Sequence, residues 1–390
     1  MHVLYLFPHF IHPGGAALVT LSTAKIFAER GAKVTILAQE GSEEILSGYD
    51  NIDFRFVGGP LPKSLSYWLG YPLIYSRVNK EIRDIDPDVI FPQVFPANYW
   101  GFFYKLLNPD SRLVWYCHEP SAFVHNTTVI DGLPQRLKTL ANLARPILVP
   151  FDKYISGRCD GVIVNSEFTA RNVRKIYGAN STKAYPGVDT AEFPLQPPEK
   201  ESFFLFAGVL TKFKRVDLLI RAVADIASTG RHIELRIVGD GPDKGRLMSL
   251  VRELSVQGNV QFLGELSRPG LIDVMSRAMC VLFPSIEEPL GMVPLEAQAA
   301  FTPVIAFRSG GCLETVVDKE TGILVEPYTH QRMSEAMVWA LENKEQMEEM
   351  GRHGRCMVEE KFSWANAVDI IMREFNYVTD RRSVRPKAIP

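Results

Sequence analysis

A repeated order of short apolar runs, turns and helical stretches restricts the fold of this chain more than any other feature. Val3–Phe7 is an unbroken run of apolar and aromatic residues. His9–Gly15 is a loop ending in Gly14-Gly15, Ala16–Arg30 has helical character as far as Gly31, and Val34–Leu37 is apolar again. Strands that are apolar on both faces belong in a parallel sheet, where crossover helices cover each side. Further strands are expected at Asp53–Val57, Val89–Phe91, Leu113–Tyr116 and Val162–Val164, with a helix at Pro72–Ile85. The tract Ser64–Tyr75, rich in Tyr, Trp and Leu, fits neither period clearly.

The alternation pauses at Phe193–Lys200 (FPLQPPEK), a proline-rich and charged tract of the kind that links domains. It then restarts. Strands are expected at Phe203–Ala207, Ile233–Val238, Val260–Phe262, Cys280–Phe283, Val304–Ala306 and Gly322–Val325. Helices are expected at Val216–Ser228, Lys244–Leu254, Val293–Ala300, Gln331–Met350 and Trp364–Tyr377. At 390 residues the chain exceeds one ordinary domain. The expected fold is therefore α/β, with two Rossmann-like domains facing each other across a cleft. The first spans 1–195 and the second 196–363. Segment 364–380 is expected to be a helix returning to the first domain, and 381–390 a disordered tail.

Charge and cysteine content narrow the function. The formal net charge is -2, from 43 basic and 45 acidic residues, which gives no reason to expect a nucleic-acid partner. The five cysteines form no CxxC pair and read as free thiols in a reducing compartment. The N-terminus lacks the basic lead and long apolar run of a signal peptide, and no apolar stretch approaches the ~20 residues of a spanning helix. The expected location is the cytoplasm.

Ligands of such sheets gather beyond the C-terminal ends of the strands, so the strand-to-helix loops carry the chemistry. In Phe283–Ala300 (FPSIEEPLGMVPLEAQAA), Glu288 and Glu296 are separated by a glycine-bearing turn, and Glu296 sits in an apolar helical stretch. A buried carboxylate needs a partner, either a sugar diol or a cation on another helix. Gly208–Asp217 (GVLTKFKRVD) carries Lys212, Lys214 and Arg215, which suit a diphosphate or a solvated turn. Gly310-Gly311 permits close approach of a phosphate to backbone amides, or simply starts a helix. His118, in WYCHEP, directly follows a strand, and either touches a bound sugar or shapes a turn.

In context, the Glu288 and Glu296 spacing resembles the E-x7-E motif of the retaining, GT-B-fold glycosyltransferases of group 1, also called family 4. The resemblance spans nearly the whole chain and is most specific in its second half. It implies a nucleotide-diphosphate sugar as donor, with Glu288 on the sugar hydroxyls, Glu296 on the ribose and Lys214 on the diphosphate. Phe262, Leu263 and Gly264 would flank the base. Val209, Arg215, Leu290, Gly291, Met292 and Val293 complete the implied donor set, with Gly14 and Gly15 close to the diphosphate or acceptor. His118 matches the first-domain histidine near the reacting sugar, and Ser166 in VNSEFT is implied to be structural. Many relatives carry Arg where this chain has Val209, so one cation is missing from that place.

The resemblance further implies metal-independent transfer with retention, the donor on the second domain and the acceptor on the first, and closure that excludes water. No cofactor is expected beyond the donor substrate. Lys214, His118 and Glu288 are the expected catalytic set, with Glu288 binding sugar and not acting as nucleophile. Asp84-Ile85-Asp86-Pro87-Asp88 reads as a polar turn at a helix end. The acceptor class is a glycan or polyprenyl-linked saccharide. Leu137–Tyr154, which mixes apolar residues with Lys138, Arg145 and Lys153, suggests peripheral contact with the inner membrane surface. The rival readings are a non-catalytic nucleotide-sugar-binding protein and a nucleotide-sugar epimerase on the same fold.

Overall fold

A computed structural model describes residues 1–11, 14–59, 65–125 and 135–383. It divides into two compact units, one of Met1–Gly187 with the segment from Trp364 onward, the other of Val188–Ser363.

The first unit has strands β1 (His2–Leu6), β2 (Lys33–Ala38), β3 (Asp53–Phe56), β4 (Val89–Pro92), β5 (Val114–Cys117), β6 (Gly161–Val164) and β7 (Thr182–Lys183). One sheet runs β3-β2-β1-β4 and another β5-β6-β7, joined by a parallel bridge between Ile90 and Leu113. All these pairings are parallel. The inner strands β4 (VIFP) and β5 (VWYC) are apolar and buried throughout because both faces are covered, whereas the edge strand β3 (DFRF) is partly exposed. Val3 and Tyr5 pack into a cluster with Phe27 and Phe91, while Leu4 and Leu6 pack into another with Ile74, Val78 and Trp100. The longer helices are α1 (Gly15–Glu29), α2 (Leu65–Ile85), α3 (Ala97–Leu107), α4 (Gln135–Ser156) and α5 (Glu167–Tyr177).

Two of these helices escape the periodicity. α2 extends back to Leu65 through Pro72, taking in most of the aromatic tract that fits no period; Ser64 lies outside the described residues. α3 (ANYWGFFYKLL) is almost wholly apolar and aromatic, and it is buried along much of its length. A helix buried all round shows little polar alternation, so its period is hidden.

The second unit has β8 (Glu201–Ala207), β9 (Leu235–Val238), β10 (Val260–Gly264), β11 (Ala278–Phe283), β12 (Val304–Phe307) and β13 (Gly322–Val325) in one parallel sheet ordered β10-β9-β8-β11-β12-β13. Its helices are α6 (Val216–Ser228), α7 (Lys244–Glu253), α8 (Arg268–Arg277), α9 (Met292–Ala299), α10 (His330–Glu342) and α11 (Lys344–Lys361). The single helix expected over Gln331–Met350 is thus two, interrupted at Asn343 (φ -126°, ψ 50°). The sheet grows outward from β8 and then reverses to β11. Such a reversal opens a crevice at the strand ends, where doubly wound folds bind ligands.

The division between units falls at Gly187–Val188, earlier than 195. Phe193 is buried, and buried Arg355 donates to the carbonyls of Thr190, Pro194 and Ala299, so the start of the proline tract is docked onto the second unit. The last helix, α12 (Trp364–Ser383), packs with the first unit. Phe375 stacks on Phe27 with ring centroids 5.6 Å apart, and Glu374 accepts a hydrogen bond from Thr182 at 2.7 Å. The helix runs through 381–383, which were expected to belong to the tail; 384–390 lie outside the described residues.

Candidate active site

In the second unit, the loops after β8 and β11 flank the sheet reversal. After β8 the chain makes a short 3-10 turn at Lys212–Lys214. Arg215, with φ 51°, then starts α6. After β11 the chain runs through Glu287 and Glu288 to Gly291 (φ 94°), which starts α9. Lys214 Nζ donates to Glu288 Oε2 at 2.8 Å and lies 5.5 Å from the centroid of the Phe283 ring. Two residues 74 positions apart thus meet at the reversal. Each side chain is about a quarter exposed. Such a pair contributes only ~1 kcal/mol or less to stability, so its members can readily turn to a ligand.

The Gly310-Gly311 turn shapes this loop. Gly310 has φ 59°, and a Cβ on it would stand 2.5 Å from the Glu288 carbonyl oxygen. A Cβ on Gly311 would stand 2.4 Å from Leu290 Cα, and the Gly311 amide already donates to the Glu288 carbonyl at 2.8 Å. On their Cβ side, the close approach that these glycines permit is made by the protein's own 288–290 backbone. Ser309 Oγ accepts from the Glu287 amide at 3.0 Å and fixes the same loop.

Glu296 lies on α9 and is only 7% exposed. Its Oε1 accepts from Arg268 Nη1 at 2.5 Å. Arg268, at the start of α8, also pairs with Glu192 at 2.9 Å and lies over the Phe193 ring. Burial pushes the Glu296 carboxyl above its ordinary value, and the Arg268 guanidinium opposes this shift. Of the two partners weighed from sequence, the cation is present here. A carboxylate has capacity for further donors, so a diol can share the site.

The remaining second-unit residues surround these loops. Val209 is 57% exposed in the turn that carries Lys214. Phe262 and Leu263 are half-buried on β10, and Gly264 (φ 72°) accepts from the Gly239 amide at 2.7 Å. Leu290 is buried, whereas Met292 and Val293 are half-buried in the first turn of α9. No side chain caps that helix, so its leading amides are available as donors.

In the first unit, Gly14 is the N-cap of α1. Among the described residues, a Cβ there would meet nothing within 4 Å and no side chain caps the helix. Gly14 and Gly15 are both exposed. His118 is half-buried just beyond β5, tilted against Tyr116 at 4.6 Å. Gln93 Nε2 donates to the Phe91 carbonyl, which turns Gln93 Oε1 toward His118 Nε2 at 3.1 Å. An amide oxygen only accepts, so Nε2 carries the hydrogen and Nδ1 is the ring's acceptor. Burial lowers the His118 pKa to about 3, which keeps the ring neutral at physiological pH. Ser166 caps α5, accepting from Thr169 N at 2.9 Å.

Sequence reasoning missed Arg268 and Gln93. Ser267 accepts from the Gly270 amide and marks a helix start, but no local pattern tells which carboxylate the next residue will meet. Asp88, in the polar stretch at the end of α2, accepts from the His2 amide at 2.7 Å, a structural task. Among the described residues no group of three or more His, Cys, Asp or Glu side chains is placed to hold a metal ion.

Comparison with known proteins adds to this geometry. The family model described as glycosyl transferases group 1 matches residues 188–357, and the one described as glycosyltransferase family 4 matches residues 13–192. The chain is 27% identical to the mouse α-1,3/1,6-mannosyltransferase ALG2, covering 95% of each chain. It is 28% identical to a D-inositol 3-phosphate glycosyltransferase of Corynebacterium aurimucosum, covering 91% of this chain and 89% of the other. Among solved structures, Anabaena HepE in complex with UDP and glucose superposes with a TM-score of 0.78 at 18% identity, covering 96% of this chain and 99% of that one. WaaG, a glycosyltransferase involved in lipopolysaccharide biosynthesis, superposes with a TM-score of 0.74 at 17% identity, covering 97% of this chain and 99% of that one.

Proposed function

Because this chain is a GT-B-fold glycosyltransferase related to the group 1 and family 4 enzymes, we propose that it moves a hexose from UDP-hexose or GDP-mannose to a glycan or polyprenyl-linked saccharide, with retention and without a metal ion. The observation that carries this reading is the meeting of Lys214 and Glu288 at the sheet reversal. A cation there suits a diphosphate, and a carboxylate suits sugar hydroxyls. Glu296 would take the ribose, sharing its carboxylate with Arg268. The names of the relatives point to both donor classes, since HepE was solved with UDP-glucose and ALG2 is a mannosyltransferase.

In the proposed reaction the acceptor hydroxyl attacks the anomeric carbon from the face the diphosphate leaves. The new glycosidic bond forms as the C–O bond to phosphate breaks, and a phosphate oxygen takes the hydroxyl proton. Lys214 and the leading amides of α9 stabilise the charge on the leaving diphosphate. Neutral His118 accepts a hydrogen bond from the transferred sugar at Nδ1. Glu288 binds and orients the sugar.

On the acceptor side, α4 presents an outer face suited to an anionic membrane surface. Leu143 and Ile147 are 72% and 75% exposed, and Leu148, Phe151 and Tyr154 are exposed beside them. Lys153 and Arg158 are exposed close by, Lys138 and Arg145 are half-buried, and the helix's one carboxylate, Asp152, is buried. Apolar side chains rimmed by cations, with no exposed acid among them, match an interfacial helix. No helix among the described residues is long and apolar enough to cross a membrane.

The test is nucleotide release from a panel of UDP-hexoses and GDP-mannose, with saccharide acceptors, by the full chain and its Glu288→Gln variant. Acceptor-dependent release by the wild type, lost in the variant while nucleotide binding persists, supports the reading. Binding without turnover would favour the non-catalytic binder, and donor isomerisation without acceptor would favour an epimerase.

A further inference from the structure

The loop that follows β5 and bears His118 rests on a buried carboxylate that has no place in the site described above. Asp152, near the end of α4, is 0% exposed and gathers four donors. Oδ1 accepts from Tyr99 Oη at 2.6 Å and from Ser121 Oγ at 3.0 Å. Oδ2 accepts from Tyr177 Oη at 2.9 Å and faces His125 Nε2 at 2.7 Å. The donors come from α3, from α5 and from both ends of the Ser121–His125 segment, and Tyr177 Oη also accepts from the Ser121 amide at 3.3 Å. Burial alone would raise this carboxyl's pKa, yet His125 and the two tyrosines hold it below its ordinary value, so it is ionised.

A fully buried charge is tolerated only with such a donor set, and core packing could be had more simply with an apolar side chain. What the arrangement adds is direction. Two of the four donors, Ser121 and His125, lie in the stretch that starts three residues after His118. The His118 carbonyl accepts from Asn165 Nδ2 at 3.1 Å, and its ring is held by Gln93. The chain is thus pinned at His118 and again at Ser121, with Glu119 and Pro120 in the bend between the two anchors.

We propose that Asp152 is a positioning residue for sugar transfer: by anchoring Ser121 and His125 it sets the loop that presents His118. The inference rests on the proposed role of His118 at the transferred sugar. Displacing a group at the reacting centre by about 1 Å costs on the order of a hundred-fold in rate, so loss of the anchor is expected to show in turnover.

The discriminating pair is Ser121→Ala and Tyr99→Phe. Each removes one hydroxyl from the same carboxylate oxygen, but only Ser121 belongs to the loop. The full chain and both variants are assayed for kcat, donor KM, nucleotide Kd and thermal midpoint, with Asp152→Asn alongside. The expected result is a kcat loss of roughly ten-fold or more in Ser121→Ala and in Asp152→Asn, with nucleotide Kd unchanged and Tyr99→Phe near wild type. Equal kcat losses in Ser121→Ala and Tyr99→Phe, tracking their thermal midpoints, would reduce Asp152 to a fold-stabilising residue and overturn the proposal. So would wild-type kcat in Ser121→Ala. Absence of transfer by the wild type would instead overturn the underlying reading.

Discussion

Glu296→Gln separates the two tasks open to a buried carboxylate on α9. The Glu296 carboxyl titrates above its ordinary value because burial penalises the charged form more than Arg268 favours it. Its contribution to stability is therefore fully present below the unfolded pKa and declines as pH rises through the folded one. Glutamine keeps the shape and one acceptor oxygen. Arg268 is not stranded by the change, because it retains Glu192 and is itself 37% exposed. The several-kcal/mol penalty of breaking a buried pair is therefore not expected, and the change in stability should lie within about 1 kcal/mol, with a thermal midpoint at or above wild type at pH 7. Nucleotide affinity should behave differently. Hydrogen bonds from ribose hydroxyls to a charged acceptor are each worth about 1.5–3 kcal/mol, so Kd should rise roughly ten- to hundred-fold. The assays are differential scanning calorimetry and nucleotide titration on the same preparations. A midpoint several degrees lower with unchanged nucleotide affinity would show that Glu296 serves only the bridge to Arg268.

Lys214→Ala should lower kcat/KM about 10²–10³-fold, as expected for loss of a charge-stabilising donor, while denaturant unfolding shifts by less than about 1 kcal/mol because the pair with Glu288 is partly exposed. His118 should contribute no inflection to the pH profile of kcat/KM between about pH 5 and 9, since burial holds its pKa near 3. Because that value is depressed from 6.5, the stability linked to neutral His118 is present above 6.5 and is lost as pH falls toward 3, which NMR titration of the ring would follow. Gly311→Ala should destabilise by about 1–3 kcal/mol in thermal unfolding and raise donor KM, because its methyl group would collide with the Leu290 backbone and displace Glu288.

The alternation of apolar runs was enough to read most strands, since a strand buried on both faces leaves an uninterrupted apolar signal. It failed where burial erased the polar face of a helix, as in α3, and where aromatic residues and Pro72 obscured α2. The boundary near Gly187 was hidden because prolines mark a linker only when nothing binds their neighbours, and Arg355 binds Thr190 and Pro194. At the site, Glu288 and Lys214 were legible as residue types in strand-end loops, and Glu296 as a carboxylate in an apolar helical stretch. Their partners were not. Arg268 and Glu296 lie 28 positions apart, and the four donors to Asp152 come from as far as 53 positions away; such contacts are set by packing and leave no local period. The Gly310-Gly311 pair was legible as a place of close approach, and on its Cβ side the chain's own 288–290 backbone makes that approach.

Whether the second unit holds a nucleotide diphosphate through Lys214 is tested most directly by calorimetric titration of UDP, GDP and ADP into the full chain and into Lys214→Ala. One-site binding with a preference for UDP or GDP is expected, weakened about ten-fold or more by the substitution, in keeping with loss of a charged hydrogen bond. Absence of binding by all three nucleotides, or equal affinity in the variant, would contradict it.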